Sequence, residues 1–212
     1  PKLGPPGRVV SRTPVGLPGM ESITFANGVK LTLFANDAET EKVRINVRFG
    51  HGQQAFSPSK PAPGWAANYA LVASGIGKLG QRELDDLTNG RRMGMNFSID
   101  DDAFELQAVT RPADYKDQLQ LFATKLAAPG WDPAPIARVK TGAAVAYDAM
   151  ARAPDSMLAR DLNWLLHDKD VRFRTPSRTE IEALTPQAFR STWEPLLASG
   201  PIEVQIFGQV KA

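Results

Sequence analysis

Alternating apolar and polar residues, the period of a β-strand, recur near both ends of the chain and in its middle. The stretch SITFANGVKLTLFAN alternates on both sides of Asn27-Gly28, which predicts a hairpin closed by a type I′ turn. A third strand follows in KVRINVRFG, a second hairpin in MNFSIDDDAFELQAVTRP, and a last strand in PIEVQIFG. These strands can bury their apolar sides only by sharing a sheet, so the chain must build a sheet with one covered face.

Helical spacing fills the intervals between the strands. The stretch GWAANYALVASGIGKLG, from Gly64 to Gly80, predicts a buried helix after a Pro-rich loop, and QRELDDLTNG predicts a second helix that stops at Asn89-Gly90. A third helix is predicted over YKDQLQLFATKLAAPG. Its expected buried face consists of Leu119, Phe122, Ala123 and Leu126.

Four further helices are predicted before the last strand. APIARVKTGAAVAYDAM is rich in Ala, and SMLARDLNWLLHD repeats the helical spacing through Leu158, Leu162 and Leu165. The tetrapeptide SRTE, from Ser177 to Glu180, is a capping box, and Thr185-Pro186 starts a helix that carries Phe189 and Trp193.

This order of elements predicts an α+β fold. We expect a two-layer sandwich in which helices cover one face of a mostly antiparallel sheet. The first stretch, PKLGPPGRVVSRTPVGLPGM, holds five Pro and four Gly, so residues 1–20 are interpreted as an irregular linker or interdomain arm, and residues 21–212 as one domain. The chain starts with Pro1 instead of Met, so we expect a piece of a longer protein.

Composition excludes several classes of function. The 25 Lys and Arg residues nearly balance the 23 Asp and Glu residues and are scattered, which argues against a nucleic-acid partner. Cysteine is absent, which excludes thiol nucleophiles and Cys-based zinc sites. No window approaches the roughly 18 to 20 apolar residues of a membrane span, so none is predicted.

Candidate chemical groups are sparse. His51 and His167 lie far apart without the spacing of metal ligands, and His167 fits a helix C-terminus. The acids from Asp100 to Asp102 suit a solvated turn better than a calcium loop, since the glycine and distal Glu of such a loop are missing. Neither a G-x-S-x-G elbow nor a phosphate-binding loop occurs. The residues alone therefore predict no self-sufficient active site.

Several stretches of the sequence resemble a domain of the insulinase/pitrilysin-type zinc metallopeptidases, the inverzincins. The resemblance covers nearly the whole chain and is carried by PPGRVVSRT, ITFANGVKLTLF, VRINVRFGHG, GWAANYALVASGIGKLG, the TRP that closes the second hairpin, LARDLNWLLHDKDVRFRTPSRTEIEALT and VQIFG. It implies the mitochondrial processing peptidase/LuxS-like metallohydrolase fold.

The resemblance also implies where a metal site would lie. Catalytic domains of the family carry H-x-x-E-H on their first helix, with two His that bind zinc and a Glu that activates water. In this chain those positions are replaced by Ala67, Ala70 and Leu71. The family's third ligand is a Glu expected between Arg138 and Met150, but no Glu occurs between Glu105 and Glu180. We therefore expect no catalytic residue, no metal and no bound cofactor in this chain.

The resemblance therefore implies a non-catalytic domain, similar to the third domain of a four-domain bacterial member. Such a domain would form part of a peptide-enclosing chamber and contact other domains of the same peptidase, while another domain holds zinc. A periplasmic location is implied by the resemblance alone.

Two alternatives remain open from the sequence. One is a structural scaffold or subunit related to the inactive core proteins of respiratory complexes. The other is an independent enzyme with an unfamiliar site, for which Trp65, Tyr69, Trp131 and Trp164 are the side chains to inspect.

Overall fold

Seven strands form one sheet in the computed structural model, which describes residues 4–150, 152 and 154–210. The strands are β1 (Val9–Pro14), β2 (Met20–Phe25), β3 (Lys30–Ala35), β4 (Val43–Phe49), β5 (Asn96–Ile99), β6 (Phe104–Thr110) and β7 (Ile202–Gly208). Their order across the sheet is β1-β2-β3-β7-β4-β6-β5. Among the described residues only β3 and β7 pair in parallel, so the predicted, mostly antiparallel sheet is confirmed.

The helices stand at the predicted places along the chain. They are α1 (Gly64–Ala73), α2 (Gln81–Thr88), α3 (Tyr115–Ala127), α4 (Ala134–Met150), α5 (Pro154–Leu166), α6 (Arg178–Ala183) and α7 (Pro186–Leu197), with short 3-10 turns at Gly52–Ala55 and Val171–Phe173. Ser177 and Glu180 form the predicted capping box of α6, and the Thr185 side chain accepts a hydrogen bond from the Ala188 N–H at the start of α7.

The core lies between one face of the sheet and the helices. Strand β4 alternates as predicted, since Val43, Ile45, Val47 and Phe49 are all at most 4% exposed. Trp193 of α7 is fully buried against an aromatic cluster on this face, with ring centroids 5.2 to 5.7 Å away. The members of that cluster around Trp193 are Phe56, Phe97 and Phe104. Burial of several large rings is the main favourable contribution to such a core.

The opposite face of the sheet is polar. Arg48 of β4 lies there and binds Asp102 at 2.7 Å, Glu105 at 2.9 Å and Asp100 at 3.5 Å. The acidic turn between β5 and β6 is thus held by a cation of the neighbouring strand, which agrees with an exposed, ion-paired turn.

The N-terminal arm differs from the prediction. Residues 9–14 were expected to be irregular, but they form β1, which pairs antiparallel with β2 at the edge of the sheet. All six side chains of β1 are exposed, so the strand is held mainly by backbone hydrogen bonds to β2. Because neither face of β1 is buried, its sequence does not alternate between apolar and polar residues.

The turn between β2 and β3 also differs from the prediction. A type I′ turn requires positive φ at both central residues, but only Gly28 has one, at 86°, while Asn27 does not. The Gly28 N–H donates to the Phe25 carbonyl at 2.9 Å, and the Phe25 N–H donates to the Val29 carbonyl at 2.9 Å. The loop is therefore a type I turn followed by a left-handed glycine, the arrangement of a three-residue hairpin loop.

The buried face of α3 differs in part from the prediction, and the leucines of α5, which stand at the predicted helical spacing, are exposed. On α3 Phe122 is buried as expected, but Ala123 is exposed, and Gln118 and Lys125 are buried in its place. On α5 the predicted leucine face exists, yet it points away from the core. Its exposed members are Met157 at 44%, Leu158 at 58%, Leu162 at 43%, Leu165 at 48% and Leu166 at 72%.

Candidate functional site on helix α1 and its grooves

Helix α1 is shorter than predicted. It begins at Gly64 and ends at Ala73, so the prediction that it runs to Gly80 is wrong. Gly75 has φ of 78° and Gly77 has φ of 57°, backbone conformations that terminate a helix. After Gly75 the chain turns back on itself, since the Ile76 N–H donates to the Leu79 carbonyl at 2.9 Å.

The resemblance aligns three positions of α1 with the two zinc-binding His and the Glu of H-x-x-E-H, and all three lie in the core. Ala67 and Ala70 are 0% exposed and Leu71 is 2% exposed. Each carries a hydrocarbon side chain that cannot bind a metal or move a proton. A cavity of about 130 Å³ borders Ala70, lined on its other sides by Trp131, Ile136 and Phe189 among others. These three side chains of α1 therefore serve packing.

Helix α4 packs against α1 and carries the stretch where the third ligand was expected. The only carboxylate on that stretch belongs to Asp148, which forms an ion pair with Arg178 at 2.5 Å. The two helices are instead bridged by Arg138 of α4, whose Nε donates to the Tyr69 hydroxyl at 2.9 Å. The guanidinium carbon also lies 5.9 Å from the centre of the Tyr69 ring.

A groove of about 700 Å³ opens at the N-terminal end of α1. Its walls come from α1, from the end of β5, from α5 and from the segment between α5 and α6. Trp65, Ile99 and Phe173 supply apolar surface, and Asn68 and Asn163 supply amides. Its volume lies in the range of about 300 to 1,000 Å³ that is common for ligand pockets.

The arginines and the glutamate that line this groove are paired. Arg174 binds both oxygens of Glu180, at 2.6 and 2.8 Å. Burial alone would raise the pKa of Glu180, but hydrogen bonds from Arg174 and from Ser177 outweigh it and hold the pKa below its ordinary value. The other two arginines of the groove bind acids that lie next to it, Arg160 to Asp161 at 2.7 Å and Arg172 to Asp170 at 2.6 Å.

A second groove, of about 490 Å³, lies on the other side of Asn68. It is lined by Asn68, Tyr69, Val72, Ala73, Gln81, Met95, Asn96, Phe97 and Arg138. Both grooves border β5, which pairs with β6 on one side and has no strand on the other in the described part of the chain.

The four aromatic candidates are not brought together. Trp65 lines the 700 Å³ groove, Tyr69 the 490 Å³ groove and Trp131 the small cavity beside Ala70. Trp164 lies on α5, where Lys169 sits 5.9 Å above its ring. They therefore do not form one polar cluster of the kind that an independent active site requires.

The two histidines are also separate. His51 precedes the turn at Gly52–Ala55 and is exposed, whereas His167 follows the last residue of α5, as predicted. The Nδ1 atom of His167 lies 2.7 Å from the Asn163 carbonyl, and its ring stacks on Phe173 at 3.7 Å. The described residues contain no group of three or more His, Asp or Glu side chains arranged to hold a metal ion.

Sequence reasoning missed Lys125. This side chain is 2% exposed, and its Nζ donates to the Ser74 hydroxyl at 3.0 Å and to the Gly75 carbonyl at 2.7 Å. Burial lowers the pKa of Lys125 to about 8. The lysine fixes the end of α1, and only its position one turn after Phe122 on the buried face of α3 hints at this in the sequence.

Comparison with solved structures places the fold among peptidase domains. The ferredoxin protease FusC, solved in complex with Arabidopsis ferredoxin, matches with a TM-score of 0.80 and 16% identity over 100% of this chain and 23% of that chain. The periplasmic protease PqqL from Escherichia coli matches with a TM-score of 0.78 and 17% identity over 99% of this chain and 23% of that chain. The peptidase M16 inactive domain from Pseudomonas fluorescens matches with a TM-score of 0.70 and 14% identity over 91% of this chain and 47% of that chain.

These matches confirm the predicted fold, and at such identities they concern the fold alone. No protein-family model and no curated protein sequence matches the chain. The chain spans about a quarter of the length of the two proteases and about half of the length of the inactive domain's chain.

Proposed function

We propose that this chain, which has the fold of M16 peptidase domains, is a non-catalytic domain of a longer zinc-dependent metalloendopeptidase. The observation that carries the proposal is the environment of Ala67, Ala70 and Leu71. The sequence resemblance aligns them with the H-x-x-E-H motif of catalytic members, and all three are packed into the core with hydrocarbon side chains. Zinc and the reacting groups would then belong to another domain of the parent protein.

The exposed face of α5 supports a role in contacts between domains. Five large apolar side chains lie on this one helix, each between 43% and 72% exposed. Contiguous apolar surface of this kind is typical of protein interfaces. In a parent peptidase we assign it to the contact with a neighbouring domain.

The open edge at β5 supports a role as part of a chamber wall. An unpaired strand edge beside two grooves suits an extended polypeptide, since its backbone groups can pair with a new strand. Among the structural matches, FusC is a protease solved with a protein bound. For this chain we propose peptide substrate as a partner within a chamber that other domains complete.

The place of the chain within its parent is also a proposal. The resemblance favours the third of four domains, and the matches to about a quarter of the two proteases agree with a protein of four such units. The described residues include no helix that is long and apolar enough to span a bilayer. Since PqqL is a periplasmic protease, we propose the periplasm for the parent as well.

The test compares zinc content and peptide cleavage of the 212-residue chain with those of the complete gene product that contains it. Both proteins are dialysed against the same zinc buffer, analysed for metal by mass spectrometry and incubated with the same quenched fluorescent peptide. We expect zinc and cleavage in the parent and neither in the chain alone, because the ligand positions of α1 are apolar.

Two results would overturn the proposal. One is stoichiometric zinc, or cleavage, on the chain alone, which would require a site that the present geometry does not contain. The other is a complete gene product without H-x-x-E-H in any domain, which would favour the scaffold related to respiratory core proteins.

A further inference from the structure

The groove of about 490 Å³ between α1, α4 and β5 contains an arginine that differs from the other arginines at the grooves. Arg138 lines this groove, and within the described part of the chain no carboxylate lies within ion-pair distance of it. Every other arginine that lines one of the cavities described above is bound to an acid. These pairs are Arg160 with Asp161, Arg172 with Asp170, Arg174 with Glu180, and Arg190 with Glu194.

The hydrogen-bond donors of Arg138 are held in a defined position. Its Nε donates to the Tyr69 hydroxyl oxygen at 2.9 Å, which fixes the plane of the guanidinium beside the ring. The two terminal nitrogens, with four N–H groups, have no hydrogen-bond acceptor among the described residues. Because the Tyr69 oxygen accepts from Arg138, its own proton remains to donate. The pair therefore offers a planar fork and a hydroxyl donor to one anion, a match for a carboxylate.

The rest of the groove suits a polypeptide that carries this carboxylate. Val72 and Met95 are partly exposed and supply apolar surface, and Asn68 and Asn96 supply amides. Asp85, which accepts a hydrogen bond from Gln81 at 2.7 Å, does not line the groove. Its acidic charge is thus outside the space that a ligand would fill.

The backbone of β5 is open on this side. The Asp100 N–H donates to the Ala103 carbonyl at 2.9 Å, and Ser98 pairs with Glu105 and Asn96 with Gln107. In an antiparallel ladder the alternate residues point their N–H and C=O groups the other way, so those of Phe97 face the free edge. A peptide in the groove can therefore form hydrogen bonds with the backbone of β5 on one side and with the guanidinium of Arg138 on the other.

We propose that the Tyr69–Arg138 groove binds the carboxylate of an extended polypeptide and thereby gives the domain a preference for acid-bearing peptides. This deepens the proposed function and rests on it for the biological source of the peptide. The carboxylate belongs either to a peptide C-terminus or to a Glu or Asp side chain, since the fork recognises both.

The test measures binding of fluorescein-labelled pentapeptides to the 212-residue chain by fluorescence anisotropy. One arm compares Val-Thr-Val-Thr-Val with a free C-terminus and with a C-terminal amide. The other arm uses the amidated peptide with Glu or with Gln at the central position. We expect the acid to bind about tenfold more tightly than its neutral counterpart in at least one arm, the effect of a charge-assisted fork.

Three variants test which side chains cause the difference in affinity between acid and neutral peptide. Arg138→Gln should abolish the difference between acid and neutral peptide, and Tyr69→Phe should reduce it a few-fold. Arg82→Gln is the matched control, because Arg82 is exposed on α2, has no ion pair within the described residues and does not line the groove. It removes the same charge and should leave the difference unchanged. Both Arg138 and Tyr69 are exposed, so we expect the unfolding midpoints of these variants to match that of the parent chain.

The proposal is overturned if neither arm distinguishes acid from neutral peptide, if no peptide binds, or if Arg82→Gln changes the difference as much as Arg138→Gln. None of these results bears on the zinc and cleavage comparison, since the binding assay needs no metal. Conversely, a chain that holds zinc by itself would remove the proposed function and leave the peptide preference intact.

Discussion

Neighbouring residues of α1 have opposite environments. Ala67 is 0% exposed inside the core, whereas Asn68 is exposed at the rim of the grooves. We expect Ala67→Glu to destabilise the chain by at least about 3 kcal/mol, because the carboxyl would be buried without a partner. Asn68→Glu places the same group one residue away in water and should change stability by less than about 0.5 kcal/mol.

Urea unfolding of the two variants beside the original chain measures this difference. Equal stabilities would mean that the motif face of α1 is open to solvent. In that case the assignment of α1 as a packing helix would have to be withdrawn.

Lys125 predicts a dependence of stability on alkaline pH. Burial lowers its pKa in the folded chain to about 8, whereas an unfolded lysine titrates near 10.4. Between these values the unfolded state binds the proton and the folded state does not, so this group makes the free energy of unfolding rise with pH. Below pH 8 the full penalty of a buried charge is present. The gain across the window is at most roughly 3 kcal/mol.

The measurement is the free energy of unfolding at pH 7 and at pH 10, for the original chain and for Lys125→Met. Other groups titrate in both proteins, so only the difference between them reports Lys125. As pH rises, the free energy of unfolding of the original chain should increase relative to that of Lys125→Met. A constant difference would show that Lys125 keeps an ordinary affinity for its proton in the folded state.

At the scale of single residues the sequence carries limited information. It singles out Ala67, Ala70 and Leu71 only through the resemblance that aligns this helix with H-x-x-E-H, and the structure adds that all three are buried. It does not identify Lys125, since helical spacing assigns buried positions to apolar residues and the place of Lys125 one turn after Phe122 is the single hint. The contact between Arg138 and Tyr69 joins residues 69 positions apart, which no local pattern predicts.

At the scale of elements, the outward face of α5 leads to a prediction. Leu158 and Leu165 are 58% and 48% exposed, so Leu158→Ser together with Leu165→Ser should change the stability of the chain by less than about 1 kcal/mol. In the complete parent the same changes should weaken the contact between domains and lower its thermal unfolding midpoint, because they remove apolar surface from an interface.

Leu87→Ser is the control for α5, since Leu87 is 63% exposed on α2. Scanning calorimetry of the chain and of its parent gives both quantities. If α5 and α2 variants behave alike in the parent, the face of α5 is ordinary surface and does not contact another domain.

The elements themselves were largely predictable because their signals are local. Capping residues and glycines mark helix ends, and alternation marks the buried strands. Two features could not be predicted, for physical reasons. Strand β1 buries none of its side chains, so alternation cannot reveal it. The leucine face of α5 was found, but helical spacing cannot tell a face turned to the core from one turned away.

At the scale of the whole molecule, the sheet topology predicts different effects of truncation at the two ends. Strand β7 lies between β3 and β4 in the middle of the sheet, whereas β1 lies at an edge with all side chains exposed. Removing residues 202–212 should abolish cooperative unfolding, since it divides the sheet and removes Ile206 from the core. Removing residues 1–14 should leave a folded chain with a slightly lower midpoint.

Circular dichroism and urea unfolding distinguish the two truncations. A folded chain without β7, or an unfolded one without residues 1–14, would contradict the topology. The result also tests the boundary of the domain, which the sequence places at residue 21 and which otherwise stays a prediction.

The position of β7 has a consequence for the order in which the protein can be assembled in the cell. Lys30 of β3 lies opposite Glu203 of β7, about 170 residues later. At translation rates of roughly 5 to 20 residues per second, the first hairpin waits on the order of ten to thirty seconds for the strand that joins it to β4. Until the ribosome has released that strand, the nascent chain carries two incomplete sheet fragments, and it is during this interval that it most needs chaperones.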